Sequence, residues 1–393
     1  MLWLMILSLL SILAAGLQPK GSGLFLASLC GAELFAWATT AATGPNWMRR
    51  RSRRFRRSGG PGPSVLSVWV RPILALVVVS GALISWHPPL FHGDSFLLKI
   101  FLTLCFVRSV SFVIWRERAQ TCGRAFAASV FYLCGTVAFT TLAAHFRTPT
   151  AGDMMMLALL SATLNAGAAV LVLAAFGSES RRGPDPEMCP KLHDLALKWC
   201  DMPAVVLLLD APEAATYLIA RLIALPLCGV PAWFYGRFGK QLAHMYGLED
   251  ASEFRSAAAR LNLAMMLMGG AVAVLLLIWS SEPFAAIGPG SMADRQVLVW
   301  ICAGLCAPVI FGATDLLLDS TGRGMTRCVI DWLFAILILV AILTAGVSAA
   351  DQLARCFAVG LFAWGGASAF LVVSTLGIWP GLTALLHGQL RVR

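Results

Sequence analysis

Twelve apolar runs, most about as long as a helix needs to cross a bilayer, dominate this chain and leave it little choice of fold. They fall near 2–17, 23–43, 65–86, 96–115, 124–145, 152–176, 194–210, 214–235, 258–280, 296–318, 327–347 and 354–376. The runs are continuous rather than alternating, so they read as helices. In the hydrocarbon core every backbone group must be paired within its own segment or in a closed barrel. Composition agrees. The chain is 59% hydrophobic and 13% charged, whereas a soluble domain is about half apolar and about a quarter charged. The prediction is an all-α integral membrane protein of about twelve spans. The connectors are short and carry breakers, as at Gly59–Pro63, Trp86–Pro89, Gly183–Pro186 and Gly288–Gly290. The first run lacks a basic flank and the second follows within a few residues, which favours a retained helix over a cleaved signal.

The net charge of +10 is concentrated in particular connectors. Met48–Ser58 reads MRRRSRRFRRS and holds Arg49, Arg50, Arg51, Arg53, Arg54, Arg56 and Arg57. The alternate connectors on the same side, with the C-terminal tail, add Arg116, Arg118, Arg124, Arg181, Arg182, Lys191, Lys198, Arg237, Lys240, Arg255, Arg260, Arg323, Arg327, Arg391 and Arg393. The opposite connectors hold Lys20, Lys99, Arg147, Arg295 and Arg355. Twenty-two against five, in strict alternation, supports the span count and predicts both termini in the cytoplasm, because Lys and Arg are retained on that side. The Arg49–Arg57 cluster is therefore expected to set topology and to meet anionic headgroups of membrane lipids. No nucleic-acid module accompanies it, so a nucleic-acid partner is not expected.

The chain also repeats. Gln18–Leu34 aligns without a gap on Ala211–Leu227, matching Pro19 to Pro212, Ala27 to Ala220, Leu29 to Leu222 and Leu34 to Leu227. The offset of 193 carries the start of the third run onto the start of the ninth. Six spans separate the copies, so the halves insert in the same sense, as in transporters built from parallel repeats. The expected domains are a six-helix bundle over 1–177, a cytoplasmic linker over 178–192 and a second bundle over 193–393, around a central cavity.

Charges within the runs are functional suspects, because each costs at least about 2.5 kcal/mol to bury in the bilayer core. Glu33, Arg108, Asp201 and Arg221 lie mid-span. Arg71, Asp315 and Asp331 lie nearer the inner surface, where pairing or snorkelling explains them. Arg221 is too deep to snorkel easily and needs a carboxylate or a water-filled cavity. Asp201 lies at a comparable depth, and Glu33 is a second candidate partner. Eleven cysteines are scattered, with no C-x-x-C pair, and read as packing residues. His87–Asp94 offers a His/His/Asp set without a fourth ligand, so no metal is expected. Gly236–Lys240 lacks the spacing of a phosphate loop. No cofactor is implied, and no nucleophile–base set marks an enzyme.

The stretch LALKWCDMPAVVLLLDAPEAATYLIARLIALPL, with Asp201, a tight turn, Tyr217 and then Ala220-Arg221-Leu222, resembles the polysaccharide flippases. These belong to the multidrug/oligosaccharidyl-lipid/polysaccharide exporter superfamily. The likeness is clearest over 193–325 and fainter over 10–60, where Ser28 stands in register with Arg221 and Leu24 with Tyr217. It implies two six-helix bundles around a cavity in a bacterial cytoplasmic membrane. It also implies movement of a polyprenyl-diphosphate-linked oligosaccharide to the outer leaflet, alongside a polysaccharide polymerase and glycosyltransferases. By that resemblance Arg221, Arg108, Arg71 and Tyr217 would meet substrate, while Glu33, Asp201 and Asp315 would serve coupling or intramembrane pairing. Arginine suits a diphosphate through its fixed fork of donors. Rival readings are a drug or small-cation exporter of the same superfamily, a membrane polymerase, ligase or acyltransferase, and a scaffold that transports nothing. The short outer connectors argue against the enzymes.

Overall fold

The computed structural model describes residues 100–105 and 107, four residues between 156 and 163, and then 192–247, 251–279 and 292–381. Glu33, Arg71, Arg108, the Arg49–Arg57 cluster, the linker and the first copy of the repeat lie outside these residues. Two compact units divide the chain, one taking in 3–195 and 206–215, the other 196–205 and 216–393. In the first, residues 100–105 are helical, with Leu104 and Cys105 buried.

The elements are α1 (Leu192–Lys198), α2 (Met202–Leu208), α3 (Ala211–Ala224), α4 (Pro226–Gly247), α5 (Ala251–Trp279), α6 (Met292–Ile310), α7 (Thr314–Ser320), α8 (Gly324–Thr344) and α9 (Ala350–Leu376). Among the described residues, five helical segments are long and apolar enough to cross a membrane: Pro212–Gly239, Glu253–Ile278, Arg295–Ser320, Gly324–Thr344 and Ala350–Leu376. They match the last five predicted spans.

Three spans differ from the uninterrupted helices expected; the run 214–235 is interrupted at Leu225, between α3 and α4, just before Pro226. The run 194–210 is broken at Trp199–Asp201 into α1 and α2. Pro203 explains this: it has no N–H to offer the Trp199 carbonyl, and its ring would crowd that carbonyl in a continuous helix. The Met202 N–H turns back to Trp199 O instead, at 3.1 Å. The run 296–318 is broken at Phe311–Ala313, between α6 and α7. There the Ala313 N–H donates to Asn262 Oδ1 at 2.8 Å, and Gly312 takes a left-handed φ of 83°. Gly381, 69 residues on, lies against the same bend; a Cβ on it would sit 2.2 Å from Ile310 O. Asn262 on α5 thus supplies the partner that the broken ladder lacks, as an interrupted helix in a membrane requires. α4 also runs past the predicted end of its span, to Gly247.

The core of the second unit centres on α6 packed along α9, with α8 against α9 and α4 against α5. Gly304 makes the α6–α9 approach possible, since a Cβ there would lie 2.9 Å from the Ala358 Cα. The obstacle is backbone, which cannot rotate away. Gly304→Val is expected to lower stability by about 1–3 kcal/mol through overpacking. Gly270→Ala, where a Cβ meets nothing within 4 Å, should leave the melting temperature in detergent unchanged. Equal melting of the two variants would sink this reading of the seam.

Candidate functional site

The break between α1 and α2 exposes a carbonyl and a carboxylate at one place. The Met202 N–H is diverted to Trp199 O and does not serve Lys198 O. The Arg221 guanidinium, from the last turn of α3, reaches across to it through Nη2. Arg221 Nε lies 3.2 Å from Asp201 Oδ2, and the Tyr217 hydroxyl, one turn before Arg221, donates to the same oxygen at 2.6 Å. Asp201 is completely buried and Arg221 is 1% exposed. Trp199 and Phe357 close the guanidinium in, with their ring centroids 5.1 Å and 4.7 Å from its Cζ. Desolvated contacts of this kind stabilise a cation by about 2 kcal/mol. Three polar atoms of the pair, Asp201 Oδ1, Arg221 Nε and Arg221 Nη1, have no hydrogen-bond partner among the described residues, although Nε lies within ion-pair distance of Asp201 Oδ2.

The structure therefore brings together Asp201, Tyr217 and Arg221, and pairs the arginine with the first of the two candidate carboxylates. Arg221 and Tyr217 are both buried. Both are sealed in the packed interior, because the bent α1–α2 segment and α9 leave the guanidinium no open side.

A second charged cluster lies where α7 meets α8. Arg327 Nη1 is 2.6 Å from Asp319 Oδ2, its Nη2 is 3.0 Å from Asp315 Oδ2, and its Nε is 3.4 Å from Asp331 Oδ2. Tyr235 on α4 donates to Asp319 at 2.7 Å, and Trp364 Nε1 on α9 donates to Asp331 at 2.9 Å. One guanidinium thus binds three carboxylates and, through them, four helices. Asp315, for which coupling or intramembrane pairing was expected, lies in this cluster against Arg327. Arg327 appeared in the sequence only as a connector charge, and Asp319, Tyr235 and Trp364 went unnoticed. The i, i+4 spacing of Arg327 and Asp331 was the one local signal. Among the described residues, no group of three or more His, Cys, Asp or Glu is arranged to hold a metal ion.

No protein-family model matches the chain, and no curated protein matches it. A solved structure does. It is described as the inward-facing conformation of a multidrug resistance MATE family transporter of the MOP superfamily. The TM-score is 0.62 at 13% identity, over 96% of this chain and 95% of that one. At that identity the likeness shows the fold. The chain is an all-α integral membrane protein of about twelve transmembrane helices in two six-helix repeats.

Proposed function

We propose that this chain is a membrane transporter of the MOP superfamily, and that its cargo is a polyprenyl-diphosphate-linked oligosaccharide moved to the outer leaflet of a bacterial cytoplasmic membrane. The observation that carries the reading is the convergence of Asp201, Tyr217 and Arg221 at one broken helix. These three residues carry the resemblance to polysaccharide flippases, and they are mutually bonded in a fold shared with an exporter of that superfamily. Arg221 is held ready rather than open: Nη1 has no hydrogen-bond partner among the described residues, so one donor remains for a phosphate oxygen if Asp201 releases its hold. In this reading both termini are cytoplasmic, and polymerase and glycosyltransferases supply and consume the cargo.

Drug or cation export is the second reading, favoured by the description of the structural neighbour and by the three carboxylates around the single guanidinium of Arg327. Depletion of the protein in its native host separates the two. The glycan reading expects lipid-linked oligosaccharide to lose accessibility on the outer leaflet while uptake of lipophilic cations is unchanged. Normal glycan accessibility with raised cation retention would replace it with the drug reading.

A further inference from the structure

Three breaks interrupt the described spans, and two of them have a local cause. Pro203 and Pro226 each withhold an N–H beside the point where a helix stops. The break at Phe311–Ala313 has no such cause. Its nearest proline, Pro308, lies inside α6, and the helix runs on past it to Ile310. Gly312 permits the left-handed φ of 83° but does not demand it, since glycine enters either hand.

In a continuous helix the Ala313 N–H would serve Val309 O and the Thr314 N–H would serve Ile310 O. They go instead to Asn262 Oδ1 and Gly312 O, each at 2.8 Å. What holds the bend is thus remote in sequence. Asn262 comes from α5. The Phe311 ring lies against Gly365 of α9, where a Cβ would collide with it. Past α9 the chain turns at Gly377, with φ 63°, and brings Gly381 against Gly312 and Ile310 O. Within this hook Ile378 is 3% exposed and joins Leu316, Leu317 and Leu318 of α7 in one apolar cluster. The bent form also carries a cost, because Asn262 Nδ2 is buried without a hydrogen-bond partner among the described residues.

We propose that the α6–α7 bend is a two-state element, held bent by Asn262 and by the hook over 377–381, and that its second state is one continuous helix over Arg295–Ser320. Every donor and acceptor the straight form needs is already in the segment, so release of the remote contacts lets the ladder close. Arg327 ties α7 to the first turn of α8, so the two swing about Gly312 as one corner. That corner is the end of the span that the Lys/Arg asymmetry assigns to the cytoplasm. The inference does not depend on what the protein carries.

The test is a distance measurement by pulsed electron paramagnetic resonance on the full chain in nanodiscs. Nitroxides are attached to ketone-bearing side chains placed at Gln296 and Ser320, so that the eleven cysteines are left alone. A continuous helix between these positions would span about 36 Å. Wild type should give the single distance set by the bend. Asn262→Ala should add a population near that of the continuous helix, holding at least about a tenth of the molecules, as expected when a minor state gains about tenfold on loss of a hydrogen bond. Gly381→Val, whose Cβ would collide with Ile310 O, should do the same with Asn262 in place. Adding Ala313→Pro to Asn262→Ala should abolish the long population, because proline suits the observed φ of −74° and has no N–H for Val309 O. A folded Asn262→Ala or Gly381→Val protein that keeps the wild-type distance alone overturns the proposal. Loss of folded protein in both variants also overturns it, since the bend would then be the one form the span can take. A long population that survives Ala313→Pro does so as well, because the segment would have unravelled rather than closed its ladder.

Discussion

Arg327→Ala is expected to prevent the second unit from reaching a stable fold. The substitution removes the one cation shared by Asp315, Asp319 and Asp331 and leaves three carboxylates in a site where Asp331 is 1% exposed and Asp319 7%. Breaking a buried pair by deleting one partner costs about 3–5 kcal/mol, because the remaining charge stays desolvated. Here three charges are left and also repel one another. That is a large part of the whole stability of an ordinary domain. The variant should yield little monodisperse protein in detergent, and what survives should melt well below wild type. Arg327→Lys should rescue only partly, since one ammonium cannot span three carboxylates on two helices. Adding Asp319→Asn and Asp331→Asn to the alanine variant should restore part of the loss. A single Arg327→Ala variant that melts like wild type would mean the cluster contributes nothing to folding.

The second large effect is expected at Arg221. Arg221→Ala leaves Asp201 fully buried without the Arg221 cation and removes the guanidinium bond to the Lys198 carbonyl. The loss should again be about 3–5 kcal/mol. The double variant Asp201→Asn/Arg221→Met should be more stable than Arg221→Ala alone, because it removes both charges and keeps the volume between Trp199 and Phe357. Thermal melting of wild type, Asp201→Asn, Arg221→Met and their double variant closes a mutant cycle that gives the coupling directly. Additive single losses would show that the two side chains do not depend on each other. The same comparison bears on transport. If the double variant folds but no longer moves lipid-linked glycan, Arg221 acts on the cargo as well as on the fold.

The last five spans could be read from the sequence because hydrocarbon filters composition strongly: a run of apolar residues long enough to cross has few alternatives to a helix. Asp201 was legible as one of two candidate partners for Arg221, with Glu33 the other, because opposite charges at similar depth attract. The arrangement around them was not. Pro203 stands mid-way along the 194–210 run, where a proline breaks or kinks a helix, but the apolar composition around it masked the break at Trp199–Asp201. Arg327 was hidden differently. Its position at the end of a run made it look like a loop cation, and two of the carboxylates that hold it are themselves bonded by Tyr235 and Trp364, far away in sequence. Contacts of that separation leave no periodic trace.

The bend between α6 and α7 has a consequence for biosynthesis. Two of its neighbours come from opposite directions along the chain: Asn262 precedes it, and Gly381 follows it by 69 residues. A translocon releases spans in order, so the Asn262 bond can form as soon as the bend arrives. The contact with Gly381 must wait until two further helices, α8 and α9, have been threaded. The bend therefore passes through insertion half-dressed, and a nascent chain halted after α9 but short of Gly381 would present a misassembled bend to membrane quality control.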